Sequence, residues 1–426
     1  MSTKPPVDRR EFLKSAAVGV AGLAANAGTV AEAAAPLPAS SPAILMDGHV
    51  HITDRVYWEG IDPWKPQAVG PFDYARARQG GVNVVIENVA AYGYEDYNGT
   101  VKQLGRMIET FYRVLEANHD KMELALTSAD VRRIVSKGKL AVLLGVEAGF
   151  DQDGDIDILR LWHRLGVRCI QFTSHAGNAY SDAAFPGGEH WGGINERGRQ
   201  LIAEMNRLGI LIDISHAAEP SMRQIVEVSR APVVGSHMGL RSVADRKGIN
   251  MPDDVAVAIA RKGGLIGITS VANSTTQRYI DWQRSRPADR PAPSGMGGIS
   301  LGNAPAPPSI PGWVRPRSPD YGEYSEALDA VMRKRWRDMW SQPWHDDPEA
   351  PVPTVEEWAD HVERAVALMG ADHVAIGLDL FQGRSHLKDW DAGGYHLLAE
   401  ALRKRHIPNS VLGENWMRVL DTGKVA

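Results

Sequence analysis

Eight short runs of aliphatic and β-branched residues punctuate the chain. They are the apolar run ending in DGHVH (47–51), GVNVVIENVA (81–90), LAVLLGVEAG (140–149), VRCIQFTSHA (167–176), ILIDISHA (210–217), APVVGSHMG (231–239), GGLIGITSVA (263–272) and HVAIGLDLF (373–381). Runs of this length and composition read as buried strands. Between them the apolar spacing changes to a helical period, over 101–117, 128–138, 155–166, 195–209, 219–230 and 252–263. Several of these segments open on Asp, Asn or Ser and stop at Gly, as capped helices do. Repeated strand–helix alternation predicts an α/β fold, a (β/α)8 TIM barrel, with its functional residues at the C-terminal ends of the strands.

Polar residues fall at those ends. His49 and His51 are two apart, so on one strand both imidazoles project from the same face. Gly48, between Asp47 and His49, reads as a sharp turn of the backbone. Glu147, His216, His237 and Asp379 each lie near the end of a later run. One such residue reads as a core group satisfied by local hydrogen bonds. Four in corresponding places do not, because burying unpartnered ionisable groups costs several kcal/mol each. Converging imidazoles and carboxylates are what a zinc-class ion requires.

The ordered motifs DGHVH, GVEAG, NRLGILIDISH, SRAPVVGSH and the closing GENWMRVL resemble those of the membrane (renal) dipeptidase family of the amidohydrolase superfamily, over residues 44–426. The resemblance implies a TIM barrel of the metal-dependent hydrolase type that hydrolyses dipeptides with two zinc ions, other divalent metals also being compatible. By motif, His49 and His51 would hold the first ion, Glu147 would bridge, and His216 with His237 would hold the second. Asp379 would be the catalytic acid/base and His175 would face the reacting carbonyl. Zinc would acidify the attacking water and polarise the scissile carbonyl.

Three positions depart from the family pattern. The family usually has Asp where this chain has His51, which leaves the first site one charge more positive. The strand-4 histidine, His175, comes one residue late. The arginine that grips the substrate carboxylate has two candidates, Arg246 and Arg241, because Ile249 directly precedes NMPD (250–253).

The N-terminus lies outside this pattern. DRREFLK (8–14) and the Ala-rich stretch after it form a twin-arginine-type signal, residues 1–35, with cleavage options around 31–35. This predicts an exported, periplasmic protein, membrane-associated only if the signal is retained. The apolar stretch is too short for a comfortable span, so no stable membrane span is expected in the mature form. The single cysteine, Cys169, excludes an intramolecular disulfide. A net charge of -5 gives no reason to invoke nucleic acid.

Residues 273–353 are rich in Pro, Gly, Ser and Arg and read as a long insertion between strands 7 and 8. A helix is predicted over 323–340. Trp313, Tyr321, Trp336 and Trp340 suit either a lid or packing against barrel helices or the partner of a homodimer. Two further readings stay open. One is a related amidohydrolase acting on an N-acyl amino acid, other small amide or lactone; the other is a non-catalytic exported binding module, which would have no need of Asp379.

Overall fold

The computed structural model describes residues 43–91, 97–147 (side chains from 100), 149–173, 177–184, 190–286, 349–380 and 387–423. The expected signal segment 1–35, His175, the helix predicted over 323–340 and the four insertion aromatics lie outside the described residues. Residues 273–286 are described and are largely helical, in Ala272–Thr275 and Gln277–Ser285.

Among the described residues nine parallel strands form one sheet: β1 Met46–Val50, β2 Val84–Ala90, β3 Met122–Leu124, β4 Leu140–Glu147, β5 Val167–Gln171, β6 Leu211–Asp213, β7 Val233–Met238, β8 Leu265–Ile268 and β9 Val374–Ile376. Eight of them follow the order β1-β2-β4-β5-β6-β7-β8-β9. A parallel bridge from Val50 to Leu380 returns the last strand to the first, so the eight close into the barrel. These eight are the runs read from the sequence. β3 is additional and pairs the first half of β4; at three residues, MEL, it is too short to show a period.

The helices between strands begin where polar side chains satisfy their free N–H groups. Thr127 accepts from Asp130 N, Asp155 from Asp157 N and Ile158 N, and Asn195 from Gly198 N. Helix Val355–Met369 opens on a capping box of Thr354 and Glu357.

Strand alternation sorts the core. Val85, Val89, Val142, Leu144 and Val146 pack with the helices in the larger apolar cluster. Met46, Val84, Ile86, Ala141, Leu143, Leu211, Val234, Leu265 and Ala375, of the opposite phase, form a second cluster with Trp416. By period two, the same phase continues along the strands to Asn88, Gly145, Glu147, Asp213 and Ser236, so the barrel interior turns from apolar to polar toward its C-terminal end. Gly48 does not end the strand as expected: it lies within β1, and a Cβ there would overlap the Trp416 ring. Its role is close approach.

Candidate metal centre

Five strand ends, those of β1, β4, β6, β7 and β9, bring the ionisable residues together. His49 Nε2 lies 2.9 Å from His51 Nε2 and 2.9 Å from Glu147 Oε2, and His51 Nε2 is 2.8 Å from the same oxygen. On the other side of Glu147, Oε1 is 3.3 Å from His216 Nε2, which is 2.9 Å from His237 Nε2. One carboxylate therefore stands between two imidazole pairs. Asp379 Oδ1 is 3.9 Å from His49 Nε2 and 3.8 Å from His51 Nε2. Two compact donor groups result, His49–His51–Asp379 and Glu147–His216–His237, all buried.

Backbone conformation contributes to this convergence. His216 has φ 65° and Asp379 has φ 63°, both in the left-handed region. For non-glycine residues such conformations cost on the order of 1–3 kcal/mol each and persist where the surroundings enforce them. Among the described residues Asp389 and His406 share this conformation outside the cluster; within it, His216 and Asp379 carry it.

Outer partners aim the rings. His51 Nδ1 faces the Asn88 carbonyl oxygen at 3.1 Å and Asp54 at 3.5 Å. The Nδ1 atoms of His49 and His237 each lie 2.8 Å from Ser236 Oγ. Asp47, the first letter of DGHVH, takes no part in the cluster. It accepts from His49 N at 3.0 Å, Leu378 N at 3.1 Å and Tyr395 Oη, and so ties β1 to the segment after β9. Burial raises its carboxyl to about 6, against the lowering effect of those three donors.

The charges are strongly coupled. Burial works to raise the Glu147 carboxyl, but the His51 charge and hydrogen bonds from His216, His49 and His51 outweigh it and hold the group well below its usual range. Burial and the neighbouring Glu147 charge push Asp379 well above its own. Burial, then the charges of His49 and His216, hold His237 far below a normal imidazole. Such a set fits divalent cations. Two pairs of ring nitrogens face each other at 2.9 Å around one carboxylate, an arrangement a cation in each group satisfies without placing protons between like donors.

The two arginine candidates separate. Arg241 donates to Glu219 Oε2 at 2.9 Å. Arg246, half-buried, donates to Ser274 Oγ at 2.7 Å, and burial pulls its pKa down to about 10 against the opposing charge of Asp379. Arg246 is thus the one within the field of the cluster. Asn178, two residues beyond the segment holding His175, is occupied in a turn, donating to Phe172 O at 3.0 Å and accepting from Tyr180 N and Ser181 N. Sequence reasoning missed Asp213 and Ser236, which lie directly beneath the ligand candidates.

The profile of the membrane dipeptidase family (peptidase family M19) matches residues 38–425. The dipeptidase verJ of Clonostachys rogersoniana is 26% identical over 337 residues, 77% of this chain and 66% of that protein. The dipeptidase tcpJ of Claviceps purpurea is 31% identical over 240 residues, 53% of this chain and 56% of that protein. Human dipeptidase 3 is 34% identical over 157 residues, 36% of this chain and 31% of that protein. The chain therefore aligns with between about a third and two thirds of the length of these relatives. Among solved structures, the probable dipeptidase PvdM from Pseudomonas aeruginosa shares the fold with a TM-score of 0.66 at 19% identity, covering 90% of this chain and 96% of that one. A metallo peptidase from Rhodobacter sphaeroides, liganded with a phosphinate mimic of the dipeptide L-Ala-D-Ala, does so with a TM-score of 0.64 at 18% identity, covering 90% and 100%. A match over nearly the whole barrel, on a chain whose buried histidines and carboxylates converge at one end of it, means that this protein belongs to the membrane dipeptidase family, peptidase family M19.

Proposed function

We propose that the protein is a metallo-dipeptidase that holds two zinc ions and hydrolyses the peptide bond of a dipeptide. The observation that carries this reading is the position of Glu147 between two imidazole pairs, with Asp379 beside the first. His49, His51 and Glu147 would hold one ion, and Glu147, His216 and His237 the other. When bound, such ions polarise the scissile carbonyl and bring the pKa of water down toward about 7.

The chain's own residues do the rest. Asp379, whose carboxylate is made more basic by burial and the Glu147 charge, takes the proton of the attacking water on a carboxylate oxygen and returns it to the leaving amine nitrogen. Arg246 keeps its charge at neutral pH and sits where it can pair with the substrate's carboxylate, steadied by Ser274. Arg241 is already engaged with Glu219. His175 keeps the oxyanion-binding role its motif implies.

The test is a substrate panel on the purified, zinc-loaded protein: L-Ala-L-Ala, L-Ala-D-Ala and N-acetyl-L-alanine. The related metallo peptidase bound to a mimic of L-Ala-D-Ala supports including the L,D pair. Release of free alanine from a dipeptide is expected. Cleavage of N-acetyl-L-alanine alone would replace the dipeptidase with another amide hydrolase.

A further inference from the structure

A serine hydroxyl lies between the two halves of the cluster. Ser236, on β7 and fully buried, has its Oγ 2.8 Å from His49 Nδ1 and 2.8 Å from His237 Nδ1, and it hydrogen-bonds Asp213 Oδ2. His49 belongs to the first donor group and His237 to the second. One oxygen thus touches both. His49, Asp213 and His237 also satisfy the spacing of a metal site by themselves, but the Ser236 hydroxyl stands among their facing atoms.

Proton counting fixes the rest. A hydroxyl has one hydrogen to give and two lone pairs to accept with, whereas a carboxylate only accepts. Asp213 Oδ1 already accepts from Ser215 N at 3.0 Å, Ser215 Oγ at 2.8 Å and Ser236 N at 2.9 Å. The remaining oxygen, Oδ2, therefore takes the Ser236 hydrogen. Both imidazoles must then present N–H at Nδ1 to the serine oxygen, which leaves each Nε2 lone pair aimed into the cluster. The Asn88 amide nitrogen lies 3.1 Å from His49 Nδ1, a longer contact, and it also donates to Ile86 O at 3.3 Å. Close packing holds Ser236 in place, since a Cβ at Gly377 would overlap its carbonyl oxygen.

We infer that Asp213 and Ser236 are positioning residues through which one hydroxyl sets the tautomer of His49 and His237 together and so couples the two metal subsites. The inference rests on the reading that the cluster binds two ions. Removing such an outer partner typically costs 10–100-fold in metal affinity; here a single removal reaches both subsites.

The experiment is a cobalt(II) titration of the metal-stripped full chain, following the visible spectrum, with melting of the metal-free protein as a control for folding. Parent protein should take up two equivalents. Ser236→Ala should weaken both by about 10–100-fold. Asp213→Asn should weaken one more than the other. Its amide oxygen can replace Oδ1 and its NH₂ can donate to the serine, so the hydroxyl hydrogen goes to one ring only. A Ser236→Ala protein that binds both equivalents like the parent, or loses only one, overturns the inference, even if its melting temperature falls. Should Ser236→Ala not fold, Asp213→Asn decides: equal weakening at both subsites, or none, overturns it. A parent that takes up no cobalt would instead sink the metal reading itself, and this coupling with it.

Discussion

His361 and the cluster histidines are all buried, yet they have different partners. His361, in helix Val355–Met369, accepts from Leu240 N at 2.8 Å with Nε2 and bonds Thr275 O through Nδ1 at 3.2 Å. Both ring nitrogens are used up by the backbone, and the residue ties the helix to the loop after β7. His49, His51 and His237 instead set Nδ1 against Ser236 or the Asn88 carbonyl; His49 and His51 turn Nε2 toward one another and toward Glu147, and His237 turns its Nε2 toward His216. Burial does not distinguish a structural histidine from a metal-binding one. The partner of the second nitrogen does.

The comparison can be pressed hardest at Asp379, which shares the cluster's burial but not its place between the imidazoles. Asp379→Asn keeps size and polarity but cannot accept the water's proton. Turnover of a dipeptide should fall on the order of 10²–10⁴-fold, with zinc content near that of the parent. Metal analysis and turnover on one preparation check this. Full turnover with full metal would make Asp379 a structural group like His361.

A smaller effect probes the structural side. Burial lowers the His361 pKa from 6.5 to about 4, against the raising effect of its Thr275 bond. Between those values the unfolded chain holds a proton that the folded chain refuses, so stability is full above about 6.5 and is lost as pH falls toward 4. That gap corresponds to roughly 3 kcal/mol of stability. Urea unfolding of the metal-free parent and of His361→Gln, at pH 7 and pH 4, should show a loss in the parent that exceeds the variant's by about this amount. Parallel losses would mean that the ring is not held neutral by its backbone partners.

The smallest effect separates the arginines. Arg246→Ala should raise KM for a dipeptide by about 10–100-fold, the worth of one charge-assisted contact of roughly 1.5–3 kcal/mol. Arg241→Ala should leave KM within about 2-fold, since its guanidinium is committed to the half-buried, partly solvated pair with Glu219. Steady-state kinetics on the two variants decides it, and the reverse order would exchange their roles.

Much of this was legible in the chain because strand ends carry a strong signal. Each barrel strand announced itself as an apolar run, and where an ionisable residue closed it, as at Glu147, His216, His237 and Asp379, that residue stood out against the background. What was not legible depends on register between distant segments. GSH and DIS look like ordinary strand ends, and only the pairing of Asp213 with Val234 on β7 sets the carboxylate beside Ser236. Tyr395, the partner that makes Asp47 structural, is 348 residues away from it. Gly48 gave a turn signal, whereas the cause of its small size is a tryptophan in the last helix. The difference between Arg241 and Arg246 likewise depends on Glu219, which opens the helix after β6.

The central claim is that one bridging carboxylate and its histidines make a two-metal hydrolytic centre. The most direct measurement strips the protein with a chelator and restores zinc stepwise while following both bound metal and hydrolysis of an alanine dipeptide. The account predicts that no hydrolysis survives stripping, that binding saturates at two equivalents, and that full activity requires the second. Activity retained by the stripped protein, or saturation of binding and activity at one equivalent, would contradict it.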